Sequence, residues 1–199
     1  MFDALIIALA TAAYGTLHSL LASLTVKAWI GRRLGPQADR FYRLTYNCIA
    51  IISFLPVAAL LVWRPGAVVY RLNSPWAAMA VAGQILSAAL LCIGFLQTDA
   101  WSFLGLRQLR EPPQAPSRFV ATGLYRWVRH PLYTAGLFLI WLTPLMTSSV
   151  LALNLVLTLY VLAGSRLEDR RLVRQFGADY RDYQRRVPAL IPIRWPSRH

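Results

Sequence analysis

Acidic residues and cysteines are scarce in this sequence. Of its 199 residues, 8 are Asp or Glu, 2 are Cys and 3 are His. Cys48 and Cys92 both fall in apolar segments and form no Cys-x-x-Cys pair. The sequence therefore predicts neither a disulfide framework nor a cysteine-based metal site, and we expect no bound metal.

Charged residues of either sign are also few, at 15% of the chain against 57% hydrophobic residues. Because an average soluble domain has about 25% charged residues, this composition argues against an ordinary soluble domain. It predicts an all-α polytopic integral membrane protein, since backbone in lipid must satisfy its hydrogen bonds internally. Five apolar segments are predicted to span the membrane and are Phe2–Leu24, Leu44–Trp63, Trp76–Gln97, Leu132–Thr147 and Ser148–Gly164.

The basic residues show how these segments are oriented. None precedes the first segment, so we expect no cleavable signal peptide. Of 21 Lys and Arg, 19 lie in residues 25–43, 98–131 and 166–198, whereas 2 lie between the second and third segments. This asymmetry predicts an N-terminus outside and a C-terminus in the cytoplasm. The net charge of +13 is thus explained by orientation and membrane lipids, not by nucleic acid.

The chain is predicted to form one domain over 1–199. Three prolines in 110–118 exclude a continuous helix there and separate a three-span part, 1–109, from a C-terminal part, 118–193. After the last apolar segment, residues such as Leu172 and Tyr180 recur at helical spacing among arginines, which predicts a basic amphipathic helix. This helix, with a break at Gly177 and an end before Pro188, is either a surface anchor or a cover for a pocket.

The most informative motif is Gly123-Leu124-Tyr125-Arg126-Trp127-Val128-Arg129-His130-Pro131-Leu132-Tyr133. Pro131 suits the first turn of a helix, so the fourth helix is predicted to start at or beside His130. The acidic pair Glu168-Asp169 follows the next apolar hairpin. A cation, an imidazole and two carboxylates at a membrane boundary can hold a small zwitterion, so we interpret this region as a cofactor pocket.

Each of these residues also has a simpler interpretation. Arg129 can reach the lipid headgroups, and His130 can cap a helix. Glu168 and Asp169 can pair with neighbouring arginines as a solvated cluster. His18, late in the first span, can be a helix-packing residue, or it can line a substrate or metal site.

The complete pattern resembles the isoprenylcysteine carboxyl methyltransferase and phospholipid methyltransferase superfamily. It combines the motif above, the acidic pair and Phe176-Gly177-x2-Tyr180-x2-Tyr183, and covers roughly 118–193. Residues 17–23 (Leu-His-Ser-Leu-Leu-Ala-Ser) and 103–106 (Phe-Leu-Gly-Leu) look like a subgroup with bacterial methanethiol S-methyltransferases and NnrU-like proteins. One departure is Asp169, where the superfamily usually has a second Glu.

The resemblance implies S-adenosylmethionine as the cofactor. Carried over to this sequence, the cofactor-binding positions are Leu124, Tyr125, Arg129, His130, Pro131, Tyr133, Glu168 and Asp169. The carboxylate of the cofactor suits Arg129 and the start of the helix. Its ammonium suits Glu168, and its sulfonium suits an aromatic face such as Tyr125 or Tyr133. Because adjacent helical residues differ by about 100°, we expect Glu168 to face the cofactor and Asp169 to face Arg or solvent.

The implied reaction is methyl transfer to a small or lipophilic thiol, or to another nucleophile that partitions into membranes. A neutral thiol needs a base, for which His18, His130 and Glu168 are the candidates. The site is expected to face the cytoplasm, in a bacterial inner membrane. Two alternatives remain at this point: a non-enzymatic membrane assembly factor, or a haem protein. The NnrU-like branch also resembles plant zeta-carotene isomerases, which use haem, and His18 and His130 would then be axial ligands.

The five-span topology gives a first prediction. Reporter fusions at Ser74 and at His199 are expected to report opposite compartments, because the basic residues cluster on the side that carries the C-terminus. A matched fusion after Arg33 should agree with His199. The same compartment for Ser74 and His199 would overturn the orientation.

Overall fold

The computed structural model describes residues 2–111 and 119–193, and it is mainly helical, as predicted. The predicted irregular stretch at 110–118 lies almost entirely outside the described residues. The helices are α1 (Phe2–Ala22), α2 (Leu24–Leu34), α3 (Pro36–Trp63), α4 (Trp76–Gln97), α5 (Ala100–Leu104), α6 (Pro131–Trp141), α7 (Ser148–Phe176) and α8 (Ala178–Arg186). Two short strands, β1 (Val68–Arg71) and β2 (Leu145–Thr147), pair antiparallel.

Within the described residues, four helices are long and apolar enough to cross a membrane. They comprise Phe2–Ala22, Gln37–Trp63, Trp76–Gln97 and Ser148–Phe176, and most of their residues are not buried inside the protein. Outward-facing apolar side chains on long helices are what lipid requires, which confirms a polytopic membrane protein.

The fourth predicted span is shorter than expected. We expected helix over Leu132–Thr147, but α6 has 11 residues and ends at Trp141. At 1.5 Å per residue it is about 16 Å long, well below the roughly 30 Å of a hydrocarbon core. Pro144 follows, and a proline disfavours helix at the residue before it. Leu145–Thr147 then forms β2 rather than the tight helical hairpin that the sequence suggested.

The last predicted span and the first part of the basic segment form one continuous helix. We expected the span to end at Gly164, but α7 continues to Phe176. Gly177 adopts a φ of 59°, a left-handed conformation that glycine tolerates, and the next helix starts at Ala178. The predicted break is confirmed, and so is the end of α8 before Pro188.

The described residues divide between two compact units. The first comprises the described parts of Met1–Arg71, Asp99–Ala115 and Leu145–Leu157. In it, α1 packs against α3, and Ile7, Val57 and Leu153 form a buried core. The β1–β2 ladder belongs to the same unit, with Val68 opposite Thr147 and Arg71 opposite Leu145.

The second unit comprises the described parts of Leu72–Thr98, Pro116–Pro144 and Thr158–His199. Its main helix pair is α4 and α6, joined by a 3.0 Å hydrogen bond from Gln84 Nε2 to the Leu139 carbonyl. Tyr180, Tyr183 and Val187 form its buried cluster, together with Phe119 and Phe176. The residues of the predicted pocket fall in this unit.

Candidate functional site

The motif residues that precede α6 are held by a contact with α4 and by a turn of their own. The Leu124 N–H donates to Gln97 Oε1 at the end of α4 (3.0 Å), and Gly123–Arg126 form a 3-10 turn. Pro131 is the first residue of α6, which confirms the predicted helix start beside His130. Arg129 and His130 are thereby held in the short link between a turn and a helix.

Asp169 is the centre of the polar contacts. Its Oδ1 accepts hydrogen bonds from Tyr180 Oη (2.6 Å), His130 Nε2 (3.0 Å) and Arg129 Nε (3.3 Å). Its Oδ2 accepts from Arg129 Nη2 (2.6 Å). The Arg129 and Asp169 side chains are only 12% and 14% exposed, so this is a shielded ion pair in which water does not replace a lost partner.

Arg129 also holds the end of α8. Its Nη1 donates to the carbonyls of Val187 (2.6 Å) and Gln184 (3.3 Å). The Arg129 N–H reaches the Pro188 carbonyl (2.9 Å), and the His130 N–H reaches the Ala189 carbonyl (3.1 Å). The segment after α8 is therefore fastened across the start of α6 by backbone and side-chain donors together.

His130 lies between the two carboxylates of α7. Its Nε2 is 3.0 Å from Asp169 Oδ1, and its Nδ1 is 3.6 Å from Glu168 Oε2. The Tyr133 ring stacks on the imidazole, with centroids 5.4 Å apart and planes inclined by 22°. The side chain of His130 is 4% exposed, so both its position and its ring plane are fixed by contacts within the protein.

A cavity of about 160 Å³ opens beside these groups. Its lining residues are Phe119, Val120, Tyr125, Arg129, His130, Glu168, Leu172, Phe176, Tyr180 and Tyr183. Glu168 presents a carboxylate here, with 46% of its side chain exposed, whereas Asp169 is not among the lining residues. Since Tyr180 and Tyr183 come from α8, the amphipathic helix covers part of the pocket, as one of its two interpretations predicted.

The tyrosine hydroxyls at the cavity are protonated, and those of Tyr180 and Tyr183 donate hydrogen bonds. Burial raises the pKa of Tyr183 to about 12. Burial and the hydrogen bond to Asp169 raise the pKa of Tyr180, and burial with the nearby Glu168 carboxylate raises the pKa of Tyr125. Tyr183 donates to the Tyr125 carbonyl (2.6 Å). At neutral pH all three stay protonated, so they position other groups and do not serve as bases.

Comparison with known proteins places this chain in a family. A model of the family described as "Protein of unknown function (DUF1295)" matches residues 23–187. The chain belongs to the DUF1295 family.

Several relatives have names that state a reaction. A protein of Mycobacterium tuberculosis named methanethiol S-methyltransferase is 33% identical over 196 residues, which cover 92% of this chain and 74% of that protein. A protein of the same name from Crocosphaera subtropica is 30% identical over 188 residues, covering 88% and 69%. Nurim from Sus scrofa is 29% identical over 170 residues, covering 78% and 62%. No solved structure matches this chain. These relatives confirm the resemblance to membrane methyltransferases.

This DUF1295 chain brings most of the predicted site residues together. Tyr125, Arg129, His130 and Glu168 line the cavity, and Asp169 lies behind them. The other three positions contact this group without lining the cavity: Leu124 precedes Tyr125, Pro131 starts α6, and Tyr133 stacks on His130. Their predicted contacts with a cofactor stay predictions.

His18 is not among the residues that line the cavity. It lies in the first unit, where its Nε2 is 2.6 Å from the Tyr46 hydroxyl. The haem alternative requires an imidazole nitrogen of His18 and of His130 to bind iron. In both residues Nε2 is engaged, by Tyr46 in one and by Asp169 in the other. These contacts favour the simpler interpretation of His18 as a helix-packing residue.

The sequence-based site omitted six of the lining residues. These are Phe119, Val120, Leu172, Phe176, Tyr180 and Tyr183. A signal was present, because Leu172, Phe176, Tyr180 and Tyr183 recur on the apolar side of the amphipathic segment. Periodicity marked them as a packing surface, but it did not show that the surface was one wall of a cavity. Phe119 joins that wall through rings of Phe176, Tyr180 and Tyr183, with centroids 5.1–5.3 Å away.

The contacts of Asp169 give a second prediction. Asp169→Ala should lower the free energy of unfolding by about 3–5 kcal/mol, because it leaves the Arg129 guanidinium buried without a counter-charge. Unfolding by sodium dodecyl sulfate in mixed micelles measures this loss. The matched control is Asp182→Ala, which removes an ion pair with Arg185 whose partners are 53% and 75% exposed. The control should change stability by less than about 1 kcal/mol. Equal losses in both variants would refute the central role of Asp169.

This prediction extends an expectation from the sequence, which assigned Glu168 to the cofactor and Asp169 to Arg or solvent. Asp169 does face Arg129, but it also receives hydrogen bonds from His130 and Tyr180. Loss of its charge therefore disturbs three partners, while loss of the half-exposed Glu168 carboxylate disturbs chiefly the cavity.

Proposed function

We propose that this chain is an integral membrane methyltransferase that transfers a methyl group from S-adenosylmethionine to a small or lipophilic thiol. The main support for this proposal is the cavity in the second unit, in which the exposed carboxylate of Glu168 lies among aromatic rings. A cationic ligand suits such a lining. The relatives named methanethiol S-methyltransferase support the thiol as acceptor.

The donor set of the cavity fits a sulfonium cofactor. A carboxylate attracts its ammonium, and the faces of Phe119, Tyr125 and Phe176 attract a cation by their ring quadrupoles. The cavity volume of about 160 Å³ is below the roughly 300 Å³ of the smallest common ligand pockets. A cofactor bound here therefore extends out of the cavity or displaces part of its aromatic rim.

Arg129 fits the cofactor carboxylate less well than the sequence suggested. Its guanidinium donates four hydrogen bonds, to Asp169, Gln184 and Val187, and its charge is balanced by Asp169. Its main contribution under this proposal is to hold Asp169 and α8 in place. Direct contact with the cofactor stays a prediction for Arg129, as it does for Pro131 and Tyr133.

The chemistry divides between cofactor and protein. When bound, S-adenosylmethionine supplies a methyl group already activated on a positively charged sulfur. Glu168 would bind the ammonium or the ribose hydroxyls, and Tyr125 would offer an aromatic face to the sulfonium. Leu172 and Phe176 give the cavity apolar walls, which would reduce competition from water for these contacts. Methyl transfer needs mainly alignment of acceptor and donor, which a rigid lining provides.

The location of the site follows from its charges. The second half of α7 and the whole of α8 carry exposed arginines. These are Arg166, Arg170, Arg171, Arg174, Arg181, Arg185 and Arg186. Such clusters remain on the cytoplasmic side and contact anionic headgroups. We place the site at the cytoplasmic face of a bacterial inner membrane, where membrane lipids and a membrane-soluble acceptor are its partners.

Cofactor binding gives a third prediction. Glu168→Gln should weaken the binding of S-adenosylmethionine about tenfold to more than a hundredfold, since a charge-assisted contact contributes roughly 1.5–3 kcal/mol. Calorimetry on the purified protein in detergent measures this. The matched control, Asp179→Asn, changes an exposed acid in the first turn of α8 that is not among the lining residues, and it should bind normally. Equal affinity of wild type and Glu168→Gln would remove Glu168 from the site.

A fourth prediction concerns the acceptor. Labelled S-adenosylmethionine should transfer its methyl group to short alkanethiols, with greater activity as the thiol partitions more strongly into the membrane. An absorption spectrum of the same preparation serves as the control for the haem alternative. A Soret band together with no methyl transfer to any thiol would overturn the proposed function.

A further inference from the structure

We propose that His130, oriented by Asp169, is the general base that removes the proton from the thiol acceptor. This inference rests on the proposed function and deepens it, because it assigns the acceptor as a thiol that reaches the site in its neutral form. The sequence left three candidate bases, His18, His130 and Glu168. Contacts in the structure distinguish among them.

The first step is the tautomer of His130. A carboxylate has no proton to donate, and Asp169 is kept in that form by the Arg129 guanidinium 2.6 Å away. The 3.0 Å contact between Asp169 Oδ1 and His130 Nε2 therefore requires the hydrogen to be on Nε2. In the neutral imidazole, Nδ1 then has the lone pair that accepts a proton.

The second step is the direction in which Nδ1 points. Glu168, which lines the cavity, is the carboxylate near Nδ1, while Asp169, which does not line it, binds the opposite nitrogen. Turning the ring over would put a carbon where Nε2 lies and would lose the Asp169 hydrogen bond. His130 itself lines the cavity, so its basic nitrogen is presented on the side where an acceptor binds.

The third step is to compare the rival bases. His18 does not line the cavity, and its Nε2 is 2.6 Å from the Tyr46 hydroxyl. Burial keeps the hydroxyls of Tyr125, Tyr180 and Tyr183 protonated by raising their pKa. Glu168 is assigned to the cationic cofactor, and at 3.6 Å from Nδ1 its charge stabilises the imidazolium that forms. The same logic orients the histidine of hydrolase triads, where a carboxylate fixes the tautomer and stabilises the cation.

The proton and electrons balance in this scheme. The S–H bond of the thiol breaks, its proton forms an N–H bond at His130 Nδ1, and the electron pair stays on sulfur. The resulting thiolate forms a bond to the donated methyl carbon, while the electron pair of the old carbon–sulfur bond returns to the donor sulfur. His130 then releases its proton to water. Such a base is useful because an alkanethiol, like cysteine with a pKa of about 8.5, is mostly protonated at neutral pH.

The experiment compares two acceptors in the detergent-solubilised full chain. Ethanethiol needs a base, whereas pentafluorothiophenol is ionised at neutral pH and needs none. His130→Gln should lower kcat with ethanethiol about a hundredfold or more, the usual contribution of general base catalysis, but should change kcat with pentafluorothiophenol by less than about tenfold. Equal losses with the two thiols, or no loss with ethanethiol, would overturn the role of His130 as a base.

Asp169 is a positioning residue in this proposal, and its test is spectroscopic. The chain has 3 histidines, so nitrogen-15 spectra of labelled imidazoles are assignable by comparison with His130→Gln. Wild type should show the hydrogen on Nε2 of His130, and Asp169→Asn should move a fraction of it to Nδ1. Asp169→Glu, which restores a carboxylate, should return the signal to Nε2. A wild-type spectrum with the hydrogen on Nδ1 would refute the proposed orientation.

The thiol comparison and the spectra together distinguish an incorrect assignment of His130 as the base from an incorrect proposed function. If wild type methylates neither thiol, the proposed methyltransferase activity is wrong. If it methylates both and the His130→Gln losses are equal, the activity stands and the base does not. The spectra require no methyl transfer, so they test the orientation of His130 in either case.

Discussion

The buried ion pair between Arg129 and Asp169 is the interaction on which the second unit depends. It joins the link before α6 to α7, and through the carbonyls of Gln184 and Val187 it also fixes the end of α8. A charge that is 12–14% exposed is costly to leave alone, so the pair is stable only while both partners are present. The ion pair therefore holds together three segments that are distant in sequence: the link before α6, α7 and the end of α8.

The same ion pair separates the roles of the two neighbouring carboxylates. Consecutive residues on a helix point about 100° apart, so only one of Glu168 and Asp169 can face the cavity. Asp169 points into the protein, where Arg129, His130 and Tyr180 saturate it, and Glu168 is left half-exposed at the cavity. One dipeptide therefore supplies an exposed carboxylate at the cavity and a buried carboxylate in the polar network, and the imidazole of His130 lies between them.

The continuity of α7 determines where the cavity lies along the helix. The helix begins in an apolar, membrane-spanning stretch and continues without a break into the basic segment that contains Glu168 and Asp169. The cavity is consequently near the level at which apolar side chains give way to exposed arginines. Under the proposed function, an acceptor that partitions into lipid and a charged, water-soluble cofactor would both reach such a position.

The sequence by itself determined the features that depend on neighbouring residues. Apolar runs specified the long helices, Pro131 specified the start of α6, and Gly177 specified the break before α8, because each acts through local backbone geometry. The tertiary structure decided what depends on distance in space. Nothing local shows that Arg129 pairs with Asp169, 40 residues away, or that residues after Pro144 find a strand partner at Val68–Arg71. These pairings form because folding brings their donors and acceptors together away from water. The pairing of Asp169 also fixes the orientation of His130.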